Sequence, residues 1–224
     1  MREAWFEFTR QRDRLLELDC AALAGTPLAD FTAQLDAVWP ALERALGAAA
    51  EHRSPGGDDP GVSGRLAFVL VPATVPPEEL IGRLHLAGRA GHPGSRGILD
   101  RNHGEAGLAG YLPIARVHLP PAPAYAVLDV ERGEEFCSVA PREALVSLAA
   151  RNRSPLTITE GLAAQAVAPG LLQPNRCFSL AGSRRGDKRV PALWISKGAP
   201  KLGWCWEGNP HTWLGTASAA GRLA

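Results

Sequence analysis

The chain has 224 residues, with 24 basic against 23 acidic side chains and a formal net charge of +1. That length suits one domain, or one domain with a small appendage, and is enough to bury a real core. Near-neutral charge argues against polyanion binding by the chain as a whole, and no run of about 18 apolar residues offers a membrane span. Apolar residues make up 46% and charged residues 21%, the balance of a soluble globular protein. With 24 Gly and 19 Pro, many turns are expected.

The first residues, Met1-Arg2-Glu3-Ala4-Trp5, begin a charged helical pattern, and no signal peptide is evident. Trp5, Phe8, Leu15 and Leu18 recur at helical spacing. Thr26-Pro27 places a capping residue before a helix-starting proline. Leu28, Phe31, Leu35, Val38, Leu42 and Leu46 continue the apolar stripe, which Pro40 should kink or restart. Residues 1–50 are therefore expected to form a helical subdomain. Residues 51–64 carry four Gly and no apolar periodicity, which predicts a flexible linker, and residues 65–224 should form an α+β domain.

Leu66 to Val71 is a continuous apolar run and reads as a buried strand. Pro77-Glu78-Glu79 opens a short helix to about Leu86. Tyr125 to Val130 and Phe136 to Val139 read as two further strands, with a turn between them. A helix is expected from Pro141 to Ala150. Thr157 and Glu160 have capping-box spacing and predict another to about Ala168. Arg176 to Ala181, Val190 to Ser196, Lys201 to Trp206 and Thr212 to Ala217 complete an expected antiparallel meander. The fold class is thus α+β: N-terminal helices, a mixed central region and a C-terminal antiparallel β-meander.

Charge is uneven along this chain. Residues 171–224 hold 8 basic residues against 2 acidic ones, and four of the six tryptophans. Arg184, Arg185, Lys188 and Arg189 crowd one Gly-containing turn, and Trp204 and Trp206 follow on the next predicted strand. Guanidinium and ammonium groups donate charge-assisted hydrogen bonds, and flat rings supply stacking area. Small anionic or aromatic ligands suit this combination. Single-stranded nucleic acid uses it too, but the neutral whole disfavours that partner. The turn's glycines could also free backbone N–H groups to cradle a phosphate. Against this, alternation puts Trp204 and Trp206 on the face of Leu202, so the tryptophans could equally be core.

The loop Asp100-Arg101-Asn102-His103-Gly104-Glu105 offers acid–base chemistry through His103 with Asp100 or Glu105, because histidine titrates near neutrality. His211, with Asp187 or Asn209 to orient it, is a second candidate base near Cys177 and Cys205. No nucleophile signature surrounds either cysteine, and buried apolar thiols are expected. The four cysteines lack a close pair and the histidines lack ligand spacing, so no metal and no cofactor are expected. Reduced thiols point to the cytoplasm.

The strings NRCFSL, VPALWIS and APKLGWCWEGNPHTWLG, with LDRNHGEA, DVERGEEFC and SPLTITEG, resemble an actinobacterial family known only as a domain of unknown function. The resemblance runs from about Leu66 onward. Family members often carry a Cys near Ala219, which this chain lacks. The resemblance implies a soluble bacterial protein of this length and brings no established reaction or catalytic residue. Three function classes follow from the residues. The first is a binding protein for a small anionic or aromatic molecule. The second is an enzyme using His103 or His211 with neighbouring carboxylates, and the third is an interaction module acting through the N-terminal helices. The sequence leaves the oligomeric state open.

Overall fold

The computed structural model describes residues 1–50 and 63–224; the predicted linker falls almost wholly outside the described residues. Four helices come first: α1 (Arg2–Glu17), α2 (Cys20–Leu23), α3 (Leu28–Asp36) and α4 (Trp39–Ala50). On α1 the apolar period buries Phe8 and Leu15, with Gln11 between them. Pro27 sits at the N-cap of α3, while the Thr26 hydroxyl turns back to the Ala24 carbonyl and caps nothing. The stripe restarts at Trp39, with Pro40 in the first turn, where a missing N–H costs no helical bond. Phe31, Leu35, Val38 and Leu42 are buried, whereas Leu28 at the tip of α3 is exposed.

Strand β1 (Arg65–Pro72) pairs antiparallel with a later strand, β4 (Ala124–Glu131), in register from Arg65↔Glu131 to Pro72↔Ala124. The outer edge of β1 is met by α1. Gln11 donates from Nε2 to the Phe68 carbonyl at 3.0 Å and accepts from the Leu70 N–H at 2.8 Å. One buried amide thus satisfies two edge groups that would otherwise be open to another strand. After β1 comes α5 (Pro77–Ile81), which stops five residues before the expected end. Tightened turns follow it, Arg83 N–H to Leu80 and Leu84 N–H to Ile81.

The expected strand at Phe136 to Val139 is absent. Residues Glu134–Phe136 form a 3-10 turn instead, started by Gly133 at φ +78°. A Cβ on Gly133 would come within 2.0 Å of the Thr216 carbonyl oxygen, so backbone proximity as well as torsion reserves the position for glycine. Helix α6 (Pro141–Ala150) and short β5 (Ser154–Pro155) follow. Helix α7 (Ile158–Val167) then begins with the predicted capping box. The Thr157 hydroxyl accepts from the Glu160 N–H, and the Glu160 carboxylate accepts from the Thr157 N–H. Such a cap contributes about 1 kcal/mol. Almost every residue of α7 is buried, and the helix packs against β1, α1 and α5.

The second sheet is built from β2 (Ile98–Leu99), β6 (Cys177–Ser179), β8 (Arg189–Ser196), β9 (Ala199–Trp206) and β10 (Leu214–Thr216) in the order β10-β6-β8-β9-β2. The β6–β8 and β8–β9 pairs are antiparallel, as expected, but β10 lies parallel to β6 and β2 parallel to β9. The chain then leaves this sheet. Its last strands, β11 (Ser218–Ala219) and β12 (Gly221–Leu223), join β4 in the first sheet. The fold is α+β, with N-terminal helices, mixed sheets and antiparallel strands near the C-terminus. One hydrophobic core runs from Phe8 and Leu42 through Val69, Leu162 and Phe178 to Leu202, so the N-terminal helices and both sheets share it.

Arg222 on β12 closes this arrangement. Its guanidinium meets Glu160 at 2.5 and 2.9 Å, Ser154 Oγ at 2.8 Å and the Pro155 carbonyl at 3.1 Å. The Tyr125 hydroxyl donates to the same carboxylate at 3.2 Å. Burial, with the Glu160 charge, pushes the Tyr125 pKa up, which keeps it a donor.

Candidate functional site

Pairing of β8 with β9 sets Leu193 opposite Leu202, Pro191 opposite Trp204 and Arg189 opposite Trp206, so these side chains share one face. Along that face the environment changes steadily. Leu202 is fully buried, Trp204 half-buried and Trp206 45% exposed. The buried end of this face is Leu202, and neither Trp204 nor Trp206 is among the core residues. On the opposite face, Gly203 gives way to Trp194: a Cβ there would lie 2.1 Å from the Trp194 ring.

A loop is laid beside the outer end of this hairpin and tied at both ends. At its start the Asp100 N–H donates to the Leu202 carbonyl at 2.8 Å, continuing the β2–β9 pairing. Asp100 caps a 3-10 turn, Arg101–His103, by accepting from the Asn102 N–H at 3.0 Å. Its other oxygen meets Lys201 Nζ at 2.8 Å. At the far end β3 (Leu112–Pro113) pairs with β7 (Ser183–Arg184) in a two-stranded ribbon. The loop thereby carries His103 and Tyr111 to the basic turn.

Here a cluster forms. His103 and Tyr111 meet edge to face, ring centroids 5.7 Å apart. Arg185 lies over the Tyr111 ring at 5.3 Å, and Arg189 over the Trp204 ring at 4.6 Å. Trp204 donates its indole N–H to the Asn102 carbonyl at 3.1 Å and contacts Trp206 at 4.8 Å. Asp187 sits between the two arginines, 3.6 Å from Arg185 and 3.7 Å from Arg189.

The cluster contains buried polar atoms that lack a well-formed hydrogen bond. His103 is 3% exposed; among the described residues neither ring nitrogen makes a hydrogen bond of good geometry, and only the Leu202 carbonyl approaches the ring loosely. The Tyr111 hydroxyl and Arg185 Nη1 likewise make no hydrogen bond of good geometry, although the Arg185 guanidinium approaches the hydroxyl. Burial lowers the His103 pKa; Asp100 and the Leu202 carbonyl pull it up, and Arg185 and Arg189 push it down. The imidazole is therefore neutral at pH 7, with one nitrogen a donor and the other an acceptor. Burial raises the Tyr111 pKa against the pull of Arg185, so the phenol keeps its proton. Burial opposes ionisation of Asp100 as well, but Lys201 and the Asn102 N–H outweigh it and hold its pKa below the usual carboxylate value.

The other candidate residues are placed differently. Arg184 points to Glu207, 3.4 Å away, and to the Arg189 carbonyl. Lys188 is exposed. His211 tilts against Trp213 at 5.2 Å, and its carbonyl accepts from Ser138. Among the described residues no hydrogen bond, ion pair or ring contact joins His211 to His103. Two backbone N–H groups at the ends of the turn are engaged: the Gly182 N–H goes to the Leu156 carbonyl and the Arg189 N–H to Asp187. Cys177 and Cys205 are separated by β8, all four cysteines are free, and burial raises the Cys205 pKa to about 11. Among the described residues, no group of three His, Cys, Asp or Glu is placed to hold a metal, and no helix is long and apolar enough to cross a membrane. Asn102 was legible only as a member of the Asp100–Glu105 loop, and Tyr111 and Lys201 were not legible as site residues. The nearest signal is the loop GLAGYLP, where a tyrosine, one of two in the chain, stands among turn residues.

Two cavities lie elsewhere. One, of about 470 Å³, is walled mainly by small apolar residues of α3 and of the segment before β4. The second, of about 570 Å³, holds Arg65, Arg132, Arg151 and Arg176, but each of these is already paired with Glu131, Glu134 or Glu135. The first cavity also holds an open buried acceptor, Gln34 Oε1, but the His103 cluster sets open donors beside an acceptor and two cations.

The family model described as "Family of unknown function (DUF5701)" matches residues 14–224. The chain belongs to that family. The match agrees with the resemblance read from the sequence strings, and it takes in the whole His103 cluster. The first 13 residues, with exposed Trp5 and Phe6, lie outside the DUF5701 match. No curated protein and no solved structure matches the chain.

Proposed function

We propose that this DUF5701 protein binds a small anionic molecule at the cluster of His103, Tyr111, Arg185, Arg189 and Trp204. One observation carries the reading: a buried imidazole, a phenol and a guanidinium N–H that lie together and make no hydrogen bond of good geometry among the described residues, with only loose contacts to the Leu202 carbonyl and between Arg185 and Tyr111. Each buried polar group left without a partner costs about 1–3 kcal/mol, and folded proteins pair nearly all of them. An oxyanion supplies the missing acceptors for Arg185, Tyr111 and the protonated nitrogen of His103. The pair of arginines supplies the attracting charge, with Asp187 bridging them.

Binding is favoured over acid–base catalysis by the position of Asp100. In a triad-type site a carboxylate orients the catalytic histidine. Both Asp100 oxygens are engaged elsewhere, one by Lys201 and one by the Asn102 N–H.

Titration with inorganic phosphate and with acetate, followed by tryptophan fluorescence and calorimetry, tests the reading. Saturable binding is expected, weakened at least about tenfold in Arg185→Ala, the loss typical of a charge-assisted hydrogen bond. Absence of saturable binding by either anion, or equal binding by Arg185→Ala, overturns it.

A further inference from the structure

We infer that the anion bound here carries a flat conjugated ring in the same molecule, with the anionic group at His103, Tyr111 and Arg185 and the ring against Trp206. This deepens the proposed binding reading and rests on it. The cluster alternates cations and rings: Arg185 on Tyr111, Arg189 on Trp204, then Trp204 on Trp206. Each ring before the last is engaged by a neighbour. Trp204 has Arg189 over its face, Asn102 on its N–H and Trp206 against it at 68°.

Trp206 ends the series. It is the last residue of β9, its cross-strand partner is Arg189, and it leaves 45% of its surface to solvent. An exposed indole beside an arginine is a poor place to leave apolar area, and a good one to stack a flat ring. Lys188 is exposed in the same turn, so the surroundings favour a negatively charged visitor over a neutral apolar one. An aliphatic carboxylate or free phosphate would fill only the buried end. A ring alone would leave His103, Tyr111 and Arg185 without a well-formed hydrogen bond. A ring and an anionic group in one molecule satisfy both ends.

The test compares matched probes by calorimetry: inorganic phosphate against phenyl phosphate, and acetate against benzoate, with phenol as the ring lacking a full charge. The ring-bearing anion is expected to bind at least about fivefold tighter than its partner, the low end of what one stacked ring contributes. Trp206→Ala should erase that preference while leaving phosphate affinity unchanged. Trp206→Leu, which keeps apolar bulk and loses the flat ring, should erase it too and guards against a folding defect in the first variant. Equal affinity within each pair, or a preference that survives both variants, overturns the inference while the anion site stands. Phenol binding as tightly as phenyl phosphate overturns it as well. Failure of every anion to bind removes the site itself, and the inference with it.

Discussion

The Glu160–Arg222 cluster and the His103–Tyr111–Arg185 cluster are both buried and both join segments distant in the chain, but only the first is closed. Glu160 accepts four hydrogen bonds, from Tyr125, from the Thr157 N–H and twice from Arg222, and Arg222 donates its remaining bonds to Ser154 and Pro155. In the second cluster the buried imidazole, phenol and one guanidinium nitrogen make no hydrogen bond of good geometry among the described residues. The same fold therefore completes a polar network where it fastens the C-terminal strand and leaves one incomplete beside the basic turn. A closed network serves the fold. An open one is expected to trade stability for a ligand.

The largest effect should come from breaking the closed network. Arg222→Ala leaves the fully buried Glu160 carboxylate without its cation, at a cost of about 3–5 kcal/mol. Urea unfolding should show a correspondingly lower midpoint. A loss below about 1 kcal/mol would mean that Glu160 takes up a proton or reaches water, and the first half of the comparison would fall.

Next is the contrast along β9. Leu202→Ala empties a fully buried site and should cost about 2–5 kcal/mol. Trp206→Ala, at a position 45% exposed, should cost about 1 kcal/mol or less. Equal losses would show that both residues serve the core, against the division of this face into core and site.

Smaller still is a pH effect that belongs to the open cluster. The folded-state pKa of His103 lies below its ordinary value of 6.5, chiefly through burial. The unfolded chain therefore binds more protons than the folded one between those two values. The stabilising contribution is present above about pH 6.5 and is lost as pH falls through the folded-state pKa. His85, lowered by burial and by Arg14, acts in the same direction. His103→Gln should accordingly flatten, without abolishing, the fall in stability between pH 7 and pH 5. An unchanged slope in that variant would place His103 in contact with solvent.

Local signals were the most legible. The run Leu66 to Val71, the capping box at Thr157 and the proline opening α6 each specify their element through neighbours in sequence, and each is present. What failed depends on distant partners. Phe136 has strand-like neighbours, but Gly133 turns the chain because the Thr216 backbone lies against it. The antiparallel meander is broken by β10, which runs parallel to β6, and by a C-terminus that crosses to β4. The site shows the same division. The charge excess and tryptophans of residues 171–224 drew attention to Arg185, Arg189 and Trp204. Tyr111 and the way Lys201 occupies Asp100 arise only because β2 and β3 bring a loop from 70 to 100 residues away in sequence, which no local pattern encodes.

The smallest expected effect is also the most discriminating, because the chain has two tyrosines and one lies in each cluster. The same change, Tyr to Phe, removes one hydroxyl in each case. Tyr125 donates to a buried carboxylate, so Tyr125→Phe should cost about 1–3 kcal/mol and leave anion binding untouched. The Tyr111 hydroxyl is buried with no hydrogen bond of good geometry, so deleting it removes a desolvated group and only a loose contact with Arg185. Tyr111→Phe should therefore change stability by less than about 0.5 kcal/mol, or raise it. Its effect should appear only with ligand present, as a severalfold loss of phosphate affinity at unchanged unfolding midpoint. Paired urea melts and calorimetry on the two variants read this directly. Equal destabilisation by both would mean that Tyr111 already has its partner within the folded protein, and the second cluster would then be closed like the first.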